Sequence, residues 1–146
     1  MKKIPHVRPA RGFDVGEVTA IAAARPHAAR WSRDAYAAEA ERTDSIFLVA
    51  DDGAVLGYAV ARVFEAEVQL LDLAAAADGQ GTGRALWAAL AAAARARGAA
   101  RLTLEVSAAN SRALLFYKRA GAGVVGRRAK FYNDGSDAVL MDLPLE

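Results

Sequence analysis

The stretch Asp72-Leu-Ala-Ala-Ala-Ala-Asp-Gly-Gln-Gly-Thr-Gly-Arg-Ala-Leu-Trp87 decides how the rest of the chain is read. Its apolar start reads as a buried strand, glycines follow at 79, 81 and 83, and an alanine- and leucine-rich helix opens at about Thr82 or Gly83. Strand, glycine loop and helix start, in that order, make a place to hold an anion. Glycine lets the backbone approach a ligand closely, and the first helical N–H groups have no partner inside the helix. Together with the positive end of the helix dipole, those groups favour phosphate.

Working back toward the N-terminus, Val68 to about Ala75 is the strand that enters the loop. Ser45–Ala50 and Ala54–Phe64 read as two more strands, joined by Asp51-Asp52-Gly53 as an Asp-Gly hairpin turn. Gly57 marks a bulge and Glu65-Ala-Glu67 the next turn. Residues 3–9 form a short strand in which Pro5 fits only at a sheet edge. Between them lie two helices. One runs from about 15 to 25, with Asp14 as N-cap and Glu17 three residues on; the other spans 32–41, with Ser32 as N-cap. Trp31, just before it, is a packing anchor. The first half is thus a run of antiparallel strands that helical crossovers do not separate.

Beyond the loop, a helix from about 82 to 97 carries Leu86, Trp87, Leu90 and Ala94 as an apolar stripe, and Gly98 closes it. Residues 100–106 alternate, with Leu102, Leu104 and Val106 on one side and Arg101, Thr103 and Glu105 on the other. Asn110 or Ser111 caps a helix to Ala120, closed by Gly121. Gly123–Tyr132 and Asp137–Leu143 read as a closing hairpin around Asn133-Asp-Gly-Ser136. The expected architecture is a single α+β domain over residues 1–146, with a mixed, mostly antiparallel sheet.

Composition narrows the function classes. There is no cysteine, which excludes a thiolate metal site or a cysteine nucleophile, and His6 and His27 lie far from each other and from the glycine loop. Neither a zinc site nor a Ser-His-Asp triad is expected. A net charge of +2 with scattered Lys and Arg makes no nucleic-acid footprint. The 54% apolar fraction includes 37 alanines, and the uncharged run Ala85–Ala94 is far short of the roughly 18 residues of a membrane span. Pro5 and His6 follow Lys2 and Lys3 where a signal peptide would turn apolar. The expectation is a soluble, cytoplasmic protein with no metal, nucleic-acid or membrane partner, as a monomer or weak dimer.

The loop's spacing sorts the phosphate-binding classes. A P-loop needs Lys then Ser or Thr after its last glycine, and Arg84-Ala85 stands there. The dinucleotide pattern G-x-G-x-x-G fails from either start, because Arg84 and Leu86 occupy the third-glycine positions. Glu105 mimics the ribose-binding acid of that class, but an antiparallel meander before the loop and a hairpin at the end do not suit it.

What the chain does resemble is the GNAT N-acetyltransferase family. Gly79-Gln-Gly-Thr-Gly-Arg-Ala-Leu-Trp87 is similar to that family's acetyl-CoA loop. Leu102-Thr-Leu-Glu-Val-Ser-Ala-Ala-Asn-Ser-Arg-Ala-Leu-Leu-Phe-Tyr117, then Gly121, is similar to its second motif. Leu-Glu-Val, three residues, Asn, six residues and Tyr are spaced as in the ribosomal-protein-alanine N-acetyltransferase (RimI) group. The likeness extends to Trp31-Ser32, Phe131-Tyr132 and the Asp134–Met141 ending. It implies a three-layer fold, a central sheet flanked by helices.

The resemblance also implies roles. Acetyl-CoA would lie along Leu73, Ala74 and Ala75, with its pyrophosphate on the N–H groups of Gly79, Gln80, Gly81, Thr82, Gly83 and Arg84. Asn110 would touch the cofactor, Trp31 and Tyr132 would line the acceptor's entrance, Glu105 would take the proton from the amine, and Tyr117 would protonate the leaving thiolate. Transfer would be direct, to a protein or peptide N-terminus, ribosomal proteins among them. Other readings are acetylation of a lysine or a small amine, or a non-catalytic acyl-CoA-binding module; such a module would need neither Glu105 nor Tyr117. Three departures bear on cofactor affinity. Asp78 stands where the family carries Gln or Arg, the spacer from Asp72 to Gly81 is about two residues short, and Gly121-Ala122 replaces Gly-Phe.

Overall fold

The computed structural model describes residues 5–146. Its strands are β1 (His6–Pro9), β2 (Ser45–Asp51), β3 (Val55–Phe64), β4 (Glu67–Ala75), β5 (Arg101–Ser107), β6 (Gly123–Arg128) and β7 (Ala138–Pro144). Its helices are α1 (Val15–Ala24), α2 (Arg33–Ala40), α3 (Thr82–Ala96) and α4 (Ser111–Arg119), with a 3-10 turn at Gly12–Asp14. The sheet order is β1-β2-β3-β4-β5-β7-β6. Among the described residues every neighbouring pair is antiparallel except β4–β5. This is the mixed, three-layer α+β architecture expected from the sequence.

Each face of the sheet has its own core. On one, the α3 stripe of Leu86, Trp87, Leu90 and Ala94 packs with Tyr117 of α4 against Val68, Leu70, Leu102, Leu104 and Val106. On the other, Val15, Val18 and Ile21 of α1 and Tyr36 of α2 pack against Phe47, Val49, Tyr58 and Val60. Ser32 caps α2 as expected, its hydroxyl accepting from Ala35 N–H (3.1 Å). Asn110, the first of the two candidates, caps α4 by accepting from Ala113 N–H (3.2 Å).

Four local expectations are corrected. Asp14 precedes α1 but does not cap it with its side chain. Its carboxylate instead takes two bonds from the Arg8 guanidinium (2.7 and 2.9 Å) and one from Arg11 N–H (2.8 Å), a charge-assisted set stronger than a cap. Glu17 does not close a capping box; it accepts from Val55 N–H (2.9 Å) and ties α1 to β3. The extra residue in β3 is Leu56, since Gly57 pairs with Ala50 and Val55 with Asp51. The strand expected to reach Tyr132 ends at Arg128, because Asp137 accepts from Lys130 N–H (3.0 Å) and pairs with Arg127 (3.2 Å), folding the segment out of the ladder. Of the strand expected over residues 3–9, His6–Pro9 is formed at the sheet edge, and residues 3 and 4 lie outside the described residues.

The Arg8–Asp14 pair makes stability pH-dependent. The hydrogen bonds from Arg8 hold the Asp14 carboxyl below its usual range against the opposing effect of burial. A depressed folded pKa stabilises the fold above the unfolded value, about 3.9, and the contribution is lost as pH falls through the folded value. Arg8→Met is therefore expected to cost about 2 kcal/mol at neutral pH, by leaving the buried carboxylate with only the Arg11 N–H and by removing the Arg8 bond to Asp51 (2.5 Å). In thermal melts the gap to wild type should narrow as pH falls through the depressed folded value of Asp14. A gap independent of pH would mean that only packing of the Arg8 stem was lost.

Candidate active site

The parallel pairing of β4 and β5 is short. It joins Glu67, Val68 and Gln69 to Arg101, Leu102 and Thr103 and stops there. Beyond that point β4 stays paired to β3 through Ala75, and β5 to β7 through Ser107. The facing edges of the two strands thus part, and Leu73, Ala74 and Ala75 offer backbone groups toward the opening. A bulge helps to part them: Val60 pairs with Asp72 and Ala61 with Leu70, so Leu71 is the extra residue.

The bulge also reverses the alternation of β4. Val68 and Leu70 face the α3 side, while Leu71 and Ala74 belong to the α1–α2 side. Asp72 turns the same way and is buried. It accepts from Tyr36 Oη (2.6 Å), Tyr58 Oη (2.7 Å) and Ala29 N–H (3.0 Å). The two hydroxyls lie 3.1 Å apart. Burial, and then the bond to Asp72, push Tyr36 up to about 12. Burial and the Asp72 charge push Tyr58 higher still. This network, which the sequence did not disclose, fixes α2 and the α1–α2 loop to β4. Trp31 lies on it, its ring stacked on Tyr36 at 5.3 Å.

The glycine loop closes one end of the opening. Gly79 and Gly81 have φ of +73° and +79°, a left-handed backbone that glycine adopts without strain. Among the described residues no atom lies within 4 Å of a Cβ position at either. Thr82 is buried at the start of α3, while Gln80 and Arg84 are exposed. Gly57 lies beneath: a Cβ there would meet Ala74 O and Thr82 Cγ2, each at 2.8 Å. Gly57→Ala is therefore expected to push β4 or the start of α3 away, costing about 1–3 kcal/mol. Calorimetry should show weaker CoA binding as well; unchanged melting and binding would place slack where the packing shows none.

Tyr117 and Glu105 come to the opening from opposite faces. Tyr117 packs against Trp87 (5.4 Å) and Phe116 (5.1 Å) on the α3 side. Burial, then the charge of Asp72, push its hydroxyl well above the ordinary tyrosine range, so it stays protonated. That hydroxyl has no hydrogen-bond partner among the described residues. It is also not one of the sealed polar atoms, all of which are satisfied, so it is not closed off from solvent. Glu105, half-buried on the other face of β5, pairs with Arg128 (3.4 Å). Burial and the Glu105 charge raise Tyr132. No hydrogen bond, ion pair or ring contact joins Glu105 to Tyr117, or Trp31 to Tyr132, among the described residues.

Of the three departures in sequence, the charge of Asp78 is answered in the fold. Asp78 pairs with Arg25, which follows α1, and with Arg112 of α4 (3.0 Å). Ala122 is buried in the α3-side core. Among the described residues no group of three His, Cys, Asp or Glu side chains is placed to hold a metal ion. No helix among them is long and apolar enough to cross a membrane.

A model of the acetyltransferase (GNAT) family matches residues 16–122. The [ribosomal protein bS18]-alanine N-acetyltransferase of Escherichia coli (strain K12) is 33% identical over 126 residues, covering 83% of this chain and 85% of that protein. The crystal structure of the ribosomal-protein-S18-alanine N-acetyltransferase from Escherichia coli superposes with a TM-score of 0.86 at 28% identity, over 98% of this chain and 95% of that one. The structure of yncA from Salmonella typhimurium, with its cofactor acetyl-CoA, shares the fold at a TM-score of 0.84 and 22% identity, over 99% and 95% of the two chains.

Proposed function

Because the chain belongs to the acetyltransferase (GNAT) family and is an N-acetyltransferase, we propose that it acetylates the α-amine of a protein N-terminus, using acetyl-CoA. In this reading residues 1–146 work as one catalytic unit in the cytoplasm, and a ribosomal protein whose first residue is alanine is a fitting acceptor. One observation carries the mechanism: a protonated phenol and a carboxylate flank one opening between β4 and β5 from opposite faces.

Acetyl-CoA supplies the acetyl group in activated form, as a thioester. Leu73, Ala74 and Ala75 would hold its arm, and residues 79–84 would hold its phosphates. Asn110 already spends its side-chain oxygen on the α4 cap, so its amide N–H groups are what it can offer. Glu105 accepts a proton from the incoming amine, directly or through water. An α-amine titrates near 7.7–8.0 and a lysine near 10.4, so a carboxylate suffices far better for the first. Arg128 pairs with Glu105 at 3.4 Å and fixes where its carboxylate lies. Tyr117 Oη gives its proton to the departing sulfur, and burial keeps that proton in place until then. Trp31 and Tyr132 border the acceptor side.

The test is the rate of CoA release with peptides whose N-terminus is free or blocked. Free alanine termini should support turnover, blocked ones should not, and Glu105→Gln should lower the rate about 10²-fold. Turnover that survives blocking and requires a lysine would assign the enzyme to the side-chain amines instead.

A further inference from the structure

Arg25, Asp78 and Arg112 come from three separate elements: the end of α1, the glycine loop and the start of α4. They meet where the opening between β4 and β5 reaches solvent. One carboxylate there faces two guanidiniums, and Arg84, exposed in the first turn of α3, makes no ion pair among the described residues. The cluster therefore carries excess positive charge beside a backbone cradle shaped for an anion. Both arginines are accessible, with 31% and 74% of their side-chain surfaces exposed, and Asp78 with 45%.

We propose that Arg25 and Arg112 are a phosphate clamp for the nucleotide end of the co-substrate, and that Asp78 is its resident counter-anion, exchanged for phosphoryl oxygens on binding. This rests on the acetyl-CoA reading above. Exposed carboxylate–arginine pairs contribute little, because water screens them and long side chains must be ordered. Phosphoryl oxygens carry more charge and accept forked bonds from guanidinium, so the exchange is favourable. Asp78 keeps the two guanidiniums gathered at the mouth without sealing it. The acidic residue in the loop is thereby part of phosphate recognition, and the arginines it gathers supply the positive charge from two other elements.

Calorimetry of CoA binding to wild type, Arg25→Ala, Arg112→Ala, Asp78→Asn and the Asp78→Asn/Arg112→Ala pair tests this. Each arginine loss should weaken CoA about five- to tenfold, and Asp78→Asn should tighten it about threefold. The Arg112 loss should cost more in the Asp78→Asn background, where no exchange is needed. Dephospho-CoA and pantetheine locate the contact. A cost retained with dephospho-CoA places the clamp on the pyrophosphate, a cost lost places it on the terminal phosphate, and pantetheine should be indifferent to all four variants. Weaker CoA binding by Asp78→Asn, or arginine variants that bind CoA like wild type, would overturn the clamp while leaving the enzyme reading intact. A wild type that binds no CoA would overturn the reading itself.

Discussion

Tyr117→Phe is expected to lower kcat about 10²-fold or more while leaving thermal stability and CoA affinity nearly unchanged. The separation follows from what the residue touches. Its ring is held by Trp87 and Phe116, and phenylalanine keeps those contacts. Its hydroxyl has no partner among the described residues, so the fold loses no hydrogen bond when it is removed. What disappears is the proton. With the phenol held above its ordinary range by burial and by Asp72, the wild type should show no loss of activity from Tyr117 ionisation across neutral pH. Steady-state kinetics beside thermal melts checks both halves. A variant with wild-type kcat would remove Tyr117 as the acid, and one that melts early would make it a packing residue.

Asp72→Ala is expected to cost about 3–5 kcal/mol, lowering Tm by roughly 10 °C. Three donors converge on this carboxylate, and alanine leaves two buried hydroxyls and a backbone N–H without their acceptor. A buried donor left unpaired carries its full desolvation cost. Asp72→Asn keeps one accepting oxygen and should lose less. Because the network binds the α1–α2 loop to β4, the alanine variant should also raise the peptide KM more than the CoA Kd. Urea melts and initial rates measure the two effects, and a loss under 1 kcal/mol would show the network to be incidental.

That network marks where the sequence stopped being informative. In Leu70-Leu71-Asp72-Leu73 two adjacent leucines carry no period, so nothing in the residue types announces an extra residue at Leu71. Strict alternation would set Asp72 on the face of Val68 and Leu70; the bulge turns it to the tyrosines. Gly57 shows the same limit. A glycine within a strand fits either a bulge or a close approach, and only the packing of Ala74 and Thr82 decides for the second. Asp14 has the chemistry of a cap and of an ion-pair partner, and Arg8, six residues away, settles the matter. Where punctuation was strong, the reading carried through. The Asp-Gly turn, the loop glycines, Gly98 after the helix and the alternation of Arg101–Ser107 each have one physical meaning, and they set the order of the sheet. Glu105, Asn110 and Tyr117 were singled out by resemblance to the family's second motif, and of Asn110's two expected roles the helix cap is formed. Arg25, Arg112 and Arg128 were not legible, because exposed arginines carry no pattern until the fold supplies their partners.

The most direct measurement uses one peptide with a free N-terminal alanine and an internal lysine, incubated with acetyl-CoA and the enzyme and then fragmented in a mass spectrometer. A single acetyl group on the α-amine, formed far more slowly by Glu105→Gln, is the predicted result. Acetyl on the lysine alone, or none on either amine while CoA still binds, would contradict it.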